Sequence, residues 1–283
     1  MSKTNPYFID EPAIVSFSGG RSSGYMLFKI LEAHNGVLPD DVHVTFANTG
    51  KEMPQTLDFV QACSDNWNVP ITWLEYDGRT KKPDSKNYDY RYKIVDYDSA
   101  ARNGEPFEKL ISDLGQLPNS VGRWCSGQLK VRTIHRYAQD VGLQSPFLTM
   151  IGIRGDEKRR AIKIHNKVNE GQDNFCPMYV DGTTRWFVSL FWKNQNFDLE
   201  LPNNDGVTDW GNCDLCFLKG RGKRMSIIQA QPHLADWWIS QEVKFNDQFD
   251  RQSPSYEQMK IIASDQGALF DFDDETIPCF CGD

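Results

Sequence analysis

Strand-like and helix-like segments alternate over the first 80 residues of the chain. Three short apolar runs rich in β-branched residues each predict a buried strand, and they cover 13–17, 42–47 and 71–76. After the first run, apolar residues from Tyr25 onward recur at helical spacing, and after the second, Pro54 suits the first turn of a helix. This order of strands and helices predicts a parallel sheet covered by helices.

The second half of the chain holds one more strand pattern and several helix patterns. Residues 147–153 predict a buried strand. Apolar spacing predicts helices over 128–141, 184–192, 223–231, 233–245 and 254–265. Asn, Asp and Gly dominate between 194 and 212, and cysteines and basic residues follow them.

These patterns predict an α/β protein in two parts. The first part, 1–193, is a twisted parallel sheet with helices on both faces, and it includes a polar insertion at 77–106 that is rich in Lys, Asp and Tyr. The second part, 194–283, is smaller, mainly helical and bears cysteines.

Composition narrows the class of protein. The formal net charge of −8 argues against a protein that coats nucleic acid non-specifically, although it leaves room for a local basic site. The N-terminus lacks the apolar run of a signal peptide, and no stretch approaches the roughly 20 apolar residues of a membrane span. We therefore expect a cytoplasmic protein without membrane contact, in which clustered cysteines are metal ligands or redox groups.

A Gly- and Ser-rich segment, Ser16 to Gly24 with the sequence SFSGGRSSG, joins the first strand to the first helix. Backbone N–H groups point outward at the start of a helix, and the helix dipole favours an anion there. Gly19 and Gly20 let the backbone approach a ligand, and Arg21 can pair with phosphate or sulfate oxygens. An ordinary strand-to-helix turn has a similar composition, and the spacing fits neither a Walker A loop nor a GxGxxG fingerprint.

The segment resembles the PP-loop of the ATP-pyrophosphatase superfamily, in particular of its phosphoadenosine phosphosulfate (PAPS) reductase-like branch. Three later segments follow in the order of that branch. Residues 46–52 (FANTGKE) resemble its NTG-E motif, 151–160 (IGIRGDEKRR) its G-x-R-x-x-E/Q-x-x-R motif, and 176–178 with the following helix its P-L segment. The pattern is closest to phage and DNA-phosphorothioation-type members, and the implied fold is adenine nucleotide α-hydrolase-like. Ser22 stands where many superfamily members have Asp.

The resemblance implies a bound adenine nucleotide, which is ATP or a sulfonucleotide (PAPS or APS), with Mg²⁺ as an accompanying ion. The implied nucleotide-binding residues are Ser16, Ser18, Gly19, Gly20, Arg21, Ser22, Ser23, Phe46, Asn48, Thr49, Gly50, Arg154 and Glu157. Arg21 and Arg154 would be catalytic, because a guanidinium stabilises negative charge that develops during group transfer. A solvated basic face is the other interpretation of Arg154 and its neighbours Arg159 and Arg160.

Cysteines form a second candidate site. Cys213 and Cys216 make a CxxC pair, and Cys125 lies in a segment similar to the cysteine pair of iron–sulfur sulfonucleotide reductases, with Trp124 in place of one cysteine. Thiolate sets suit iron–sulfur clusters or zinc. We expect a [4Fe-4S] cluster on the three cysteines, with Cys279 or Cys281 as the fourth ligand or with an open iron position. A structural zinc knuckle is the other interpretation of the CxxC pair.

Basic residues at 219–224 directly follow the CxxC pair. With their flexible glycines they could hold a substrate phosphate or a nucleic-acid backbone, and they could equally form a solvated loop and helix start. Nearby aromatic residues are expected in the core, namely Trp210, Phe217, Trp237 and Trp238. Cys63, on the apolar side of a predicted helix, is expected there too.

Three functions remain open at this stage. The first is an iron–sulfur sulfurtransferase, in which ATP adenylates a substrate oxygen, pyrophosphate leaves, and sulfur then displaces AMP. DNA or RNA is the expected acceptor, and a cysteine desulfurase is the expected sulfur donor. The second is a PAPS or APS reductase, but its Glu-Cys-Gly-x-His motif is missing, and the acidic run at 271–275 beside Cys279 would raise a thiol pKa. The third is a nucleotide-binding regulatory or nucleic-acid-binding module with structural zinc. The oligomeric state stays open.

Overall fold

The computed structural model describes residues 5–84, 88–204 and 208–265. Its strands are β1 Ala13–Ser16, β2 Val42–Asn48, β3 Ile71–Lys81, β4 Tyr88–Val95, β5 Phe147–Ile151, β6 Lys167–Asn169 and β7 Gln172–Phe175. They form one seven-stranded sheet in the order β4-β3-β2-β1-β5-β7-β6. The five central strands run parallel, and the edge strands β4 and β6 are antiparallel to their neighbours. The carboxyl ends of the central strands therefore share one edge of the sheet, where α/β proteins bind ligands.

Helices follow the strands along the chain. The α-helices are α1 Arg21–Ala33, α2 Pro54–Trp67, α3 Glu105–Leu114, α4 Trp124–Ser126, α5 Thr133–Asp140, α6 Lys158–Ile164, α7 Pro177–Asp181, α8 Arg185–Lys193, α9 Arg221–Ala230, α10 Ala235–Phe245 and α11 Tyr256–Asp265. A π-helix, Gly127–Arg132, joins α4 to α5. A π-helical turn is wider than an α-helical one and often lies at a functional site.

Both faces of the sheet are buried, which explains why its strands read as continuous apolar runs. Ile14 and Val15 are neighbours in β1 and point to opposite faces, yet each is fully buried. Val15 belongs to the cluster that includes Met26 of α1 and Trp192 of α8, and Ile14 belongs to the cluster that includes Ile134 of α5. The predicted α/β class, with a parallel sheet and helices on both faces, is confirmed.

Several element boundaries differ from the sequence pattern. The helix α1 begins at Arg21, not near Tyr25. The apolar pattern did not indicate this first turn, because the turn is built from polar residues, although these residues are buried. The predicted insertion at 77–106 contains the continuation of β3 and the antiparallel edge strand β4. The helix predicted over 128–141 begins as the π-helix Gly127–Arg132 and continues as the α-helix α5. The pattern missed the short elements α3, α6, α7, β6 and β7.

The C-terminal helices share a hydrophobic cluster with the first part of the chain. Phe107 of α3 and Leu129 of the π-helix lie in this cluster together with Phe217, Trp238 and Tyr256. The predicted boundary at 193/194 therefore crosses a common core, and as a domain boundary it stays a prediction. None of the helices within 5–84, 88–204 and 208–265 has the length and apolar character needed to span a bilayer.

Candidate functional site

The loop between β1 and α1 is held by a small serine network. Ser23 Oγ accepts hydrogen bonds from Ser18 N (3.1 Å) and Ser18 Oγ (3.0 Å), and donates to Gly20 O (2.9 Å). Gly19 has a φ of +81°, which favours glycine. Gly20 is the N-cap of α1, and no side-chain bond caps the helix from this position. The amides of the first turn are therefore directed outward without a cap, as an anion socket requires.

The end of β5 lies directly against this turn. A Cβ atom placed on Gly152 would be 2.9 Å from Ser23 Cα and 3.1 Å from Ser23 N. Because these are backbone atoms, a side chain at Gly152 would displace the start of α1. The glycine of the G-x-R segment therefore brings β5 and its following loop next to the serine loop.

Arg154, two residues further on, lies over the first turn of α1. Its Nη1 donates to Ser22 Oγ at 2.7 Å, and its Nε donates to Asp156 Oδ1 at 3.1 Å. Glu157 accepts from the Arg154 backbone N–H at 3.0 Å and pairs with Arg160 at 2.9 Å. The structure therefore brings Arg154 and Glu157 to the loop, although Arg154 and Ser22 are 132 residues apart in the sequence. Their roles in binding and catalysis stay predictions.

Arg21 is placed differently from Arg154. Its guanidinium forms a bidentate ion pair with Asp198, with Nε–Oδ1 at 2.7 Å and Nη2–Oδ2 at 2.9 Å. It also donates a hydrogen bond to Leu199 O at 2.8 Å. These bonds fix the start of α1 to the chain that follows α8. The predicted pairing of Arg21 with a phosphate or sulfate is untested, but in this structure the Arg21 side chain binds a carboxylate of the protein.

A cleft opens beside the serine loop, at the carboxyl ends of β1, β2, β5 and β7. Its lining includes Ser16 and Ser18, which the sequence predicts, and six polar residues that it does not, among them Lys130, Thr149, Gln172 and Asn174. A single polar residue inside the apolar run FLTMI is the only sequence signal for Thr149. Lys130, Gln172 and Asn174 lie on a π-helix and a short strand that the pattern missed.

Thr149 has a buried hydroxyl in the wall of the cleft. It is 1% exposed, and its Oγ1 has no hydrogen-bond partner among the residues that the structure describes. A buried hydroxyl without a partner is unfavourable by about 1–3 kcal/mol. Because Thr149 lines the cleft, a molecule bound there would supply the missing hydrogen-bond partner.

The end of β2, predicted to hold adenine, is mostly occupied by internal bonds. The Phe46 ring packs against Trp73, with 5.0 Å between the ring centroids. Asn48 Nδ2 donates to Glu75 Oε1 at 2.7 Å, and Asn48 Oδ1 accepts from Gly50 N at 3.0 Å. Burial raises the pKa of the Glu75 carboxyl above its usual value. These side chains shape the end of β2, so a base placed there would meet mainly the backbone.

The CxxC segment docks onto the residues that follow β2. Glu52 and Cys213 form an isolated antiparallel bridge, and Asp214 N donates to Lys51 O at 2.7 Å. Lys51 Nζ pairs with Asp214 Oδ2 at 2.8 Å, and both side chains are almost completely buried. Thr49 Oγ1 lies 3.5 Å from Cys213 Sγ. The FANTGKE segment thus joins the end of β2 to the cysteine segment.

The three predicted metal-binding cysteines of the described chain are buried in one hydrophobic cluster. Cys125, Cys213 and Cys216 are 8%, 9% and 8% exposed. However, no group of three or more His, Cys, Asp or Glu side chains within 5–84, 88–204 and 208–265 is arranged to hold a metal ion. Cys279 and Cys281 lie outside the described residues. The described cysteines alone therefore do not make a metal site, and the predicted cluster stays a prediction.

The remaining described cysteines are fully buried. Cys63 is fully buried in the core, as predicted, and burial strongly raises the pKa of its thiol. Cys176 is equally buried, and burial raises its pKa to about 12. Both thiols are therefore protonated at neutral pH and unsuited to nucleophilic chemistry.

The basic run at 219–224 is engaged inside the protein. Lys219 Nζ donates to Asp214 O at 2.8 Å, Lys223 pairs with Asp209 at 2.8 Å, and Arg224 pairs with Asp250 at 2.7 Å. These bonds favour a structural role for the run over contact with a nucleic-acid backbone. Of the aromatic residues expected in the core, Phe217 and Trp238 are buried, whereas Trp210 and Trp237 are partly buried against it.

No protein-family model matches the chain. An uncharacterized nin region protein of Escherichia phage lambda is 29% identical over 210 residues, which cover 74% of this chain and 67% of that protein. An uncharacterized protein of Methanocaldococcus jannaschii is 27% identical over 235 residues, which cover 81% of this chain and 41% of that protein. The chain thus matches less than half the length of the archaeal relative.

Among solved structures, the chain is similar to phosphoadenylyl-sulfate (PAPS) reductase from Candida auris, crystallised as a phosphate complex. The match has a TM-score of 0.36 and 17% sequence identity, and it covers 60% of this chain and 66% of that chain. The chain therefore spans slightly less than two thirds of the reductase. The geometry of the chain itself is the basis for inferring its function.

Proposed function

We propose that the chain is an enzyme that binds an adenine nucleotide in the cleft beside the serine loop, with ATP as the ligand. The uncapped amides at the start of α1 would bind the phosphates, and Arg154 would pair with them from the opposite side. The observation that carries this proposal is the 2.7 Å bond from Arg154 to Ser22, because it holds a guanidinium directly over the amide socket.

Neutral hydrogen-bonding groups line the rest of the cleft and suit a nucleoside. Gln172 Nε2 donates to Val131 O at 2.9 Å and Asn174 Nδ2 donates to Lys167 O at 3.0 Å, so the side-chain oxygen of each amide remains as an acceptor. Together with the Thr149 hydroxyl they would bind the amino group of the base or the ribose hydroxyls. Lys130 is the only cation among the described residues that line the cleft.

We infer that the reaction is a group transfer at the phosphate end of the nucleotide, with sulfur transfer as its overall outcome. Arg154 would stabilise the charge that develops on the transferred group, as electrostatic catalysis requires. The contact of Cys213 with Thr49 at 3.5 Å supports sulfur delivery near the cleft, because the CxxC segment is joined to the end of β2. A cysteine desulfurase would load the sulfur.

The described residues do not by themselves form a metal site, so no reaction step is assigned to the proposed [4Fe-4S] cluster. The protein purified anaerobically is expected to contain iron and acid-labile sulfide, and Cys213→Ser is expected to lose most of both. Cys63→Ser is the matched control, because Cys63 is fully buried in a different cluster. Equal iron in the wild type and in Cys213→Ser would contradict the cluster, and stoichiometric zinc would replace it with a structural site.

Isothermal titration with ATP and Mg²⁺ tests the nucleotide site. Arg154→Ala is expected to weaken ATP binding roughly 10- to 150-fold, the effect of losing a charge-assisted hydrogen bond of about 1.5–3 kcal/mol. Arg154→Lys should recover part of this loss, since it keeps the charge but not the fork geometry. Arg251→Ala removes an exposed arginine that pairs with Asp247, and it should bind ATP as the wild type does.

Three outcomes would contradict parts of the proposal. Unchanged ATP affinity in a folded Arg154→Ala protein would remove the socket assignment. An absence of ATP binding by the wild type would remove the nucleotide site itself. Release of sulfite from added PAPS would assign the chain as a sulfonucleotide reductase in place of a sulfurtransferase.

A further inference from the structure

One segment of this acidic chain is strongly basic. Residues 158–169, which cover α6 and β6, contain five Lys and Arg residues and no Asp or Glu, whereas the whole chain has a net charge of −8. Repulsion among neighbouring cations does not stabilise a short helix, and cations in the first turn also oppose the helix dipole. Such a concentration of positive charge therefore suits a negatively charged partner better than it suits folding.

Most of these cations are exposed and unpaired. Lys158, Arg159, Lys163 and Lys167 are all exposed. Within the described parts of the chain, none of the four makes an ion pair, in contrast to Arg160, which pairs with Glu157 at 2.9 Å. In the basic run at 219–224, by comparison, Lys223 and Arg224 have carboxylate partners. The segment 158–167 is thus a basic stretch that is available for binding.

Two exposed aromatic rings lie at the start of the neighbouring helix α8. Gly155 N donates to Thr183 O at 2.7 Å, and Arg185 N donates to Asp156 Oδ2 at 3.3 Å, so the beginnings of α6 and α8 are joined. Trp186 and Phe187 are 63% and 50% exposed, with ring centroids 5.0 Å apart. Large aromatic residues are usually buried, so two adjacent exposed rings indicate a contact surface.

We propose that these two groups form one binding surface for single-stranded nucleic acid, here named the basic-aromatic surface. Its residues are Lys158, Arg159, Lys163, Lys167, Arg185, Trp186 and Phe187. The cations would follow the phosphate backbone, and the rings would stack on unpaired bases. Because Arg154 lies four residues before the start of α6, the bound strand would lie beside the nucleotide socket. The inference deepens the proposed function, since it makes this strand the acceptor of the transferred group.

The two kinds of side chain together select the partner class. An acidic peptide would satisfy the cations but would leave Trp186 and Phe187 without a specific role. Paired bases in a duplex are stacked inside the helix and do not offer their faces to protein rings. Unpaired bases next to phosphates match both features of the surface, in DNA and in RNA alike.

Fluorescence anisotropy with a labelled 20-nucleotide single strand tests the surface on the full chain. We expect binding that weakens with salt, and a slope of log K against log salt that becomes smaller by about 0.7 in Arg159→Ala, the value for one lost phosphate contact. Phe187→Ala should weaken binding roughly 5- to 150-fold, as the loss of one stacking contact predicts, and should leave the salt slope unchanged. DNA and RNA strands of the same sequence distinguish the two sources of this chemistry.

Two matched variants control for charge and for exposed aromatic area. Arg251→Ala removes an exposed arginine outside the surface, and Phe8→Ala removes a phenylalanine that is 56% exposed, and both should bind the strand as the wild type does. Equal binding by wild type, Arg159→Ala and Phe187→Ala would overturn the proposal. So would tighter binding of polyglutamate or of duplex DNA than of either single strand.

ATP titrations of the same variants separate this inference from the proposed function. Arg159→Ala and Phe187→Ala should bind ATP as the wild type does, because neither residue lines the cleft. If ATP binds and the single strands do not, the surface assignment fails and the nucleotide site stands. If the strands bind as described and ATP does not, the proposed function fails instead.

Discussion

Thr45 and Thr149 are two buried threonines on the strands that flank β1, and their comparison isolates the contribution of a ligand. Neither hydroxyl has a hydrogen-bond partner among the described residues, and the two residues are 0% and 1% exposed. Only Thr149 lines the cleft. Packing alone therefore does not distinguish the two positions, whereas a bound nucleotide would.

Replacing Thr149 with valine should weaken nucleotide binding and leave folding intact. Valine has nearly the same shape but no hydroxyl, so the variant loses one hydrogen bond of about 0.5–1.5 kcal/mol, or roughly two- to ten-fold in the ATP dissociation constant. The free energy of unfolding should stay the same or rise, because an unpaired buried hydroxyl is removed. Thr45→Val should show the same stability effect with unchanged ATP affinity. An equal affinity loss in both variants would mean that the cleft does not contact the ligand through Thr149.

Glu75 gives a pH-dependent prediction. Its pKa is raised by burial above the usual 4.5, so the folded chain retains a proton at pH values where the unfolded chain has released it. The free energy of unfolding should therefore fall as pH rises from about 4.5 through the raised pKa of the folded state. Glu75→Gln keeps the oxygen that accepts from Asn48 and Ala101, and it should remove this decrease.

Urea unfolding of wild type and Glu75→Gln between pH 4 and pH 7 measures this effect. The variant should be the more stable protein at pH 7, and the difference should shrink towards pH 4. Glu11→Gln changes an exposed glutamate and should leave the profile unaltered. A wild type that becomes more stable with pH relative to Glu75→Gln would show that the raised pKa is wrong.

At this scale, the sequence predicts residues whose chemistry is local and misses those whose partners are distant. The glycines and serines of the loop, Gly152 and Arg154 all belong to motifs that can be read in the sequence. The partner of Arg21 cannot be predicted from the sequence, because Asp198 lies 177 residues away and only the folded chain brings it to α1. The sequence did not predict a binding role for Thr149, because a single threonine in an apolar strand is indistinguishable from a residue that only packs in the core.

At the scale of elements, the close approach of β5 to α1 is what forms the socket. The two elements meet as backbone against backbone, because Gly152 has no side chain to separate them. The same approach brings the loop after β5, with Arg154, over the first turn of α1. The position of the guanidinium thus depends on a strand–helix distance and not only on its own bonds.

Gly152→Ala should therefore impair both stability and nucleotide binding. The added Cβ would lie 2.9 Å from Ser23 Cα, so the elements must separate, with an expected loss of about 1–3 kcal/mol in the free energy of unfolding. ATP affinity should fall as well, because Arg154 moves away from the first turn. Gly127→Ala is the control: Gly127 has a helical φ of −62° and nothing within 4 Å of an added Cβ. A Gly152→Ala protein with wild-type stability and ATP affinity would contradict the dependence on close approach.

The elements that periodicity predicts well are those with one clear apolar face. The strands β1 and β2 and the helix α2 lie close to their predicted bounds. Short elements such as α6 and β6 were missed because they are too brief for a period to appear, and much of their surface is exposed. The strand β4 was hidden by its polar composition, which an edge strand with a solvent-facing side allows.

At the scale of the whole molecule, the C-terminal region is attached to the sheet through a buried ion pair. Lys51, just after β2, pairs with Asp214 of the CxxC segment at 2.8 Å, with side-chain exposures of 6% and 4%. Trp238 Nε1 also donates to Asp214 Oδ1 at 2.8 Å. A second pair, between Lys244 of α10 and Glu108 of α3, joins the same two parts at 2.9 Å but is 48% and 43% exposed. The contact between the CxxC segment and the residues after β2 was not predictable, since no local pattern links Lys51 to a residue so far along the chain.

A double-mutant cycle on these two pairs should show which one holds the cysteine segment to the sheet. Lys51→Met or Asp214→Asn alone leaves a buried group without its partner and should lower the free energy of unfolding by about 3–5 kcal/mol. The double variant should lose much less than the sum of the two, because no unpaired charge remains. The matched cycle with Lys244→Met and Glu108→Gln should give a coupling of only about 0–1 kcal/mol, since water screens that pair. If urea unfolding instead gives additive losses at Lys51 and Asp214, then apolar packing around Trp238, and not the ion pair, fixes the CxxC segment beside the nucleotide cleft.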